Sequence, residues 1–392
     1  MGVASDRAHR PTPRRLLLTV ALIWTGLLLG LTVQAASTII VGPGGDPSTF
    51  AEAVRRAADG DTIAILPGTY RGDVTVIGQR QLTIRGVAAR PVFEAAGTNA
   101  EGKAIWVIRD GEILIENVEF RGARASDANG AGLRFESGRL TVRRCGFFDN
   151  QNGILTGNVS EAELRIEDSE FADLPSIDGQ NHLLYVGRIG KLTVQGSRFH
   201  RGALGHLIKS RARETLLAYN LIQDGPLGNA SYEVDLPNGG AALLIGNVIA
   251  KGPARDNPVL VAYGAEGAAW PKSSLTLSHN TLVNEGWKPA WFLRVWSDKL
   301  PPGSAVRAVN NLSVGLGAFT LAARGEFHGN FPALRGMLVD ADLLAYELPV
   351  GSLLRGRVAP ALPDLQPRAS FRLPIGTTPL LPPSAWSPGA FQ

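Results

Sequence analysis

The residues able to do chemistry converge on one stretch, 181–250, where a strand, a turn and a second strand recur three times. The copies read NHLLYVGRIGKLTVQGSRF, GHLIKSRARETLLAYNLI and ASYEVDLPNGGAALLIGNVI. A step of 24 residues carries Tyr185 onto Lys209 and Lys209 onto Glu233, and likewise Gly187 onto Arg211 and Arg211 onto Asp235. Strand alternation then puts Lys209, Arg211, Glu233 and Asp235 on one outer surface, with Val234 and Leu236 facing the other way. A lysine and an arginine two residues apart, roughly 7 Å along a strand, suit one anion-binding subsite. The same four residues also describe an ion-pair ladder, Lys209 beside Glu233 and Arg211 beside Asp235, each pair contributing about 0.2–1 kcal/mol. On sequence both readings stay open.

Other candidates surround these columns. His182 and His206 begin consecutive copies, and by parity they face inward or lie at a corner. They are either hydrogen-bonded corner residues or a titrating or metal-binding pair. Glu233 and Asp235 with a neighbouring carbonyl offer calcium two carboxylates. Pro237-Asn238-Gly239-Gly240 either shapes a cleft, with Asn238 lining it, or simply turns the chain. Trp270, Trp287, Trp291 and Trp296 lie close together in sequence, and Trp291 is the candidate sugar-stacking platform. The alternative is that these rings bury a long coil. The sequence has no nucleotide-binding glycine loop, no GxSxG elbow and no Cys/His zinc spacing.

What must position these side chains is a repeat of the form L-x-I-x-x-N-x-F, seen in ILIENVEF, LTVRRCGF, LRIEDSEF, LTVQGSRF, TLLAYNLI, ALLIGNVI, LTLSHNTL and AVRAVNNL. Asn117, Cys145, Ser169, Ser197, Asn220, Asn247, Asn280 and Asn310 form its polar column, at intervals of 23 to 33 residues. Three strands and three turns need about this much chain per coil. A single coil cannot bury its inward Leu, Ile and Val, but stacked coils make one apolar column. The expected fold is all-β, a single-stranded right-handed parallel β-helix of about nine coils spanning 37–330. Thr49 followed by Glu52, with Phe50, Val54 and Ala57 at helical spacing, predicts an N-terminal capping helix near 49–58. Residues 331–392 are proline-rich and are expected to pack as extended chain on the β-helix.

Charge and cysteine use narrow the setting. The net charge is +4, but Arg7, Arg10, Arg14 and Arg15 against Asp6 supply +3 of it, so no nucleic-acid partner is inferred. Those arginines precede an uncharged run, 16–33, and the small residues of Val33-Gln34-Ala35-Ala36-Ser37. Residues 1–36 read as a secretory signal peptide or an uncleaved anchor, and either reading exports the rest. Cys145 is the sole cysteine, so stability must come from burial rather than a disulfide.

DGDTIAILPGTYRGDVTV followed by LTIRG is similar to the first coil of the right-handed parallel β-helix, pectin-lyase-like superfamily. GHLIKSRA, SYEVDLPNGG, IGNVIAKGP and NPVLVAYGAEG resemble secreted bacterial β-helix repeat proteins. The resemblance covers roughly 38–392, although the lyase motifs of the superfamily are not matched residue by residue. It implies an exported protein that binds an acidic, uronate polysaccharide and cleaves it by β-elimination. On that reading Lys209 and Arg211 are catalytic, with Lys209 the base, and Tyr185, His206, Glu233, Asp235, Asn238 and Trp291 bind substrate, with calcium as the possible cofactor. The alternative is a non-catalytic envelope or surface protein that binds glycan or protein. Epimerase and glycoside hydrolase activities also occur on this fold.

Overall fold

A computed structural model describes residues 1–3, 36–175, 181–254, 257–320 and 324–392. Residues 4–35 of the candidate signal or anchor segment lie outside them. Residues 36–392 form one unit. Among the described residues the chain winds through three parallel sheets of 12, 11 and 10 strands, giving about ten turns of a right-handed β-helix.

Each turn visits the sheets in order. The first sheet runs from Thr38–Val41 to Glu326–His328 and holds the L-x-I strands, such as Ile113 and Ile115 inward on Glu112–Glu116. The second runs from Thr69–Arg71 to Phe331–Ala333, and its inward phenylalanines stack coil on coil. Centroids lie 5.2 Å apart for Phe120 and Phe147, 4.5 Å for Phe147 and Phe171, and 4.6 Å for Phe171 and Phe199. The third runs from Thr75–Ile77 to Gly317–Ala318 and carries the candidate site.

The turn between first and second sheets is fixed by the expected polar ladder. Each member accepts the main-chain N–H of its counterpart one coil earlier: Cys145 N–H donates to Ser169 Oγ, Ser169 to Ser197, Ser197 to Asn220, Asn220 to Asn247, and Asn247 to Asn280. The next member is Asn311, whose Oδ1 accepts from Asn280 N–H. Asn117 and Asn310, expected in this column, stand one residue earlier at positive φ, 57° each, where asparagine is well tolerated.

The helix is Phe50–Arg56, with Thr49 as its N-cap and Asp73 accepting from the Phe50 and Ala51 N–H groups. Phe50 stacks on Trp106 at 4.0 Å, so the helix closes the end of the apolar column. At the other end, Tyr346, Leu348 and Phe371 cover the outer apolar residues Leu221, Val248, Val283 and Leu312 of the second sheet. Short 3₁₀ turns and an antiparallel pair, Ala369–Phe371 with Thr377–Pro379, make up this covering segment.

One feature of the third sheet decides what faces solvent. Its strands carry two consecutive inward residues, as in Leu183-Leu184, Leu207-Ile208 and Leu260-Val261, all in the core. The pairing registers skip the first of each pair, joining His182 to His206 and then Leu184 to Ile208. This kink reverses the parity of everything before it.

Candidate functional site

Outward positions of the third sheet form one column, Tyr185, Lys209, Asp235, Ala262 and Arg294 on successive coils. The 24-residue step from Tyr185 to Lys209 holds, but the next coil is two residues longer. Lys209 therefore faces Asp235, not Glu233. Its Nζ lies 3.3 Å from Asp235 Oδ2 and 3.0 Å from Glu266 Oε1.

Glu266 is the residue that sequence reasoning missed. It stands in the loop after the strand Val259–Tyr263, and its carboxylate reaches back to both cations. Arg211 grips it in a fork, Nη1 donating to Oε2 at 2.6 Å and Nη2 to Oε1 at 3.1 Å. Arg211 also donates to Asn238 Oδ1 at 2.5 Å and from Nε to Tyr185 Oη at 3.3 Å. Asn238 in turn donates to Gly267 O, and the Trp270 indole N–H donates to Arg211 O, so the loop is tied to the strand it faces. Lys209 and Arg211 both lie within 6 Å of the Tyr185 ring centroid, at 5.9 and 5.8 Å. The side chains of Lys209 and Arg211 are 11% and 17% exposed, against 46% for Glu266. The cations form a floor that the carboxylate covers.

The two carboxyls are pushed apart. Burial alone would raise Glu266, but Arg211 and Lys209 hold it down at about 2. Burial lifts Asp235 to about 6 despite Lys209. Its Oδ2 also lies 3.4 Å from His206 Nε2, while Oδ1 has no hydrogen-bond partner among the described residues.

The kink places His182 and His206 on the outer side of the corner, correcting the inward alternative. They stack at 4.7 Å. His182 Nδ1 accepts from the His206 N–H and His206 Nδ1 from the Tyr232 N–H, which leaves Nε2 of His206 as the proton-bearing nitrogen facing Asp235. Burial, reinforced by Lys209, lowers His206 to about 3, and burial lowers His182 well below the usual range. These are hydrogen-bonded corner histidines.

Glu233 is not in the site. The kink turns it inward, level with Leu207, where it is fully buried and paired with Lys251 at 3.1 Å. Lys251 also donates to Ala230 O and Ser231 O. Burial raises the Glu233 carboxyl, partly offset by Lys251. Because Glu233 and Asp235 point to opposite sides of their strand, they do not make a joint calcium site, and no cluster of three or more metal-ligating side chains occurs among the described residues. Trp291 shares the corner column of His206, two coils beyond Tyr232, and so stands on a later coil than the ion-pair cluster.

Neither protein-family models nor curated proteins match the sequence. Solved structures match in shape. The pectate lyase Pel9A aligns over 92% of this chain and 97% of its own at a TM-score of 0.61, with 14% identity. An alginate lyase from Paenibacillus sp. str. FPU-7 aligns over 76% of this chain and 99% of its own, at a TM-score of 0.48 and 13% identity. In fold, the chain is a right-handed parallel β-helix, similar in shape to that pectate lyase over most of both chains.

Proposed function

We propose that this protein binds an acidic polysaccharide through the carboxylates of its uronate units at Lys209 and Arg211, and cleaves it by β-elimination. The observation that carries the reading is the grip on Glu266: a forked guanidinium and an ammonium already hold a carboxylate at the surface. A uronate carboxylate brought to the same donors has the same charge and geometry. Pairing that carboxylate with two cations acidifies the neighbouring C5–H. Loss of the C5 proton and departure of the C4 oxygen then leave a C4–C5 double bond.

The proton-transfer role shifts from the expectation on sequence. With Asp235 and Glu266 both at Nζ, Lys209 acts as the binding charge rather than the base. Tyr185 Oη, which accepts from Arg211 Nε, is the exchangeable hydroxyl nearest the clamp and the group assigned to transfer protons to and from the sugar. That the similar solved structure is named a pectate lyase agrees with this substrate class. Export of the protein remains part of the proposal, resting on the N-terminal sequence.

The test is ultraviolet absorbance of unsaturated product with a panel of uronate polymers, with calcium and with chelator. A rise with any polymer supports elimination, and silence across the panel overturns it. A second reading, glycan binding without turnover, draws on the matched charges: Lys209 and Arg211 already have carboxylate partners, as a structural network would. It expects saturable binding and no product.

A further inference from the structure

The column that carries Lys209 and Asp235 continues through Ala262 to Arg294, three coils from Lys209 and so about 14 Å along the β-helix. Ala262 adds neither charge nor bulk between them. Arg294 is exposed, and among the described residues no carboxylate pairs with it, in contrast to Lys209, Arg211 and Arg134 of the same sheet. Its guanidinium lies over the Trp296 ring at 4.4 Å. Beside it, a cavity of about 290 Å³ is lined by Trp291, Leu293, Arg294 and Val295. Trp291 stands there in the corner column already occupied by His206 and Tyr232.

An unpaired planar cation next to an indole is what a uronate unit needs, one group for its carboxylate and one for the apolar face of its ring. Resting on the reading that Lys209 and Arg211 hold a uronate, we propose that Arg294 and Trp291 form a second uronate subsite. A single polyuronate chain then lies along the coil axis and is held at both points. Recognition at Arg294 requires no displacement, since among the described residues no side-chain carboxylate occupies it. The first subsite must exchange its partner Glu266. Arg294 therefore supplies the open end on which a long chain anchors.

The test is calorimetric titration of size-graded oligogalacturonates and oligomannuronates into the wild-type chain, Arg294→Gln, Trp291→Ala and Arg211→Gln. In the wild type, affinity is expected to step up about tenfold once the oligomer spans both points, the size expected for one charged hydrogen-bonded contact. Arg294→Gln and Trp291→Ala should each abolish that step, while Arg211→Gln should weaken oligomers of every length. If the step persists in Arg294→Gln while short oligomers still depend on Arg211, the second subsite is wrong and the first stands. If no oligomer of any length binds the wild type, both fall. Thermal melting of each variant separates loss of contact from loss of fold.

Discussion

Lys209 and Asp235 face each other on adjacent coils, the ammonium 3.3 Å from a carboxylate oxygen that is almost wholly buried. The pair is thus the root of the site rather than its working edge. Glu266, reaching in from the next coil, completes a triangle in which one lysine meets a buried and a half-exposed carboxylate.

Removing the charge of Glu266 tests whether it stands in for substrate. Glu266→Gln keeps the shape but releases Lys209 and Arg211. Affinity for short oligouronates is expected to rise about tenfold. The melting temperature should fall modestly, because Glu266 is half-exposed and solvent screens its pairs, although both cations beneath it are largely buried. A fall in affinity would show that Glu266 itself touches the sugar.

Tyr185→Phe separates binding from chemistry. The ring beneath the two cations remains, and only the hydroxyl that accepts from Arg211 is lost. Unsaturated product should form at least about a hundredfold more slowly. Calorimetry should give a dissociation constant within a few-fold of wild type.

The raised Asp235 carboxyl makes a signed statement about pH. Its value of about 6 exceeds the ordinary 3.8, so the folded state holds this proton more tightly than the unfolded chain. Its contribution to stability is complete below 3.8 and is lost as pH rises through about 6. His206, lowered to about 3, runs the other way: its contribution is complete above 6.5 and is lost as pH falls through about 3. The readout is therefore a difference. Wild type minus Asp235→Asn stability should shrink by about 2–3 kcal/mol from acid to neutral pH. A flat difference would remove Asp235 as a buried titrating group.

The interior pair should matter for stability alone. Lys251→Met leaves Glu233 buried without its cation and is expected to cost about 3–5 kcal/mol in denaturant unfolding. Adding Glu233→Leu should restore most of this. Oligouronate affinity of the double variant should match wild type, and a loss there would tie the interior to the site.

The polar ladder was legible because each coil repeats the same constraint: Ser197, Asn220 and Asn247 sit in the same bend and meet the same partner. The capping helix was legible from Thr49 and Phe50 for a similar reason, a local signal with a local cause. The site was harder. Tyr185 to Lys209 obeyed the 24-residue step, but the following coil has two more residues, and the kink at Leu207-Ile208 reverses parity before it. Together these moved Glu233 from the surface to the core and gave Lys209 to Asp235. Glu266 left no periodic trace, since it belongs to a loop, and only the turn of Gly264 and Gly267 around it marks a place where chain returns toward the strand.

Uronate recognition by Lys209 and Arg211 is measured most directly by calorimetric binding of short oligouronates to wild type, Lys209→Ala and Arg211→Ala. Lys191→Ala, exposed on the first sheet, serves as control. Saturable binding to wild type and control is expected, with at least about tenfold weaker binding to each site variant that still melts cooperatively. Equal affinity in all four proteins, or no binding to wild type, would contradict it.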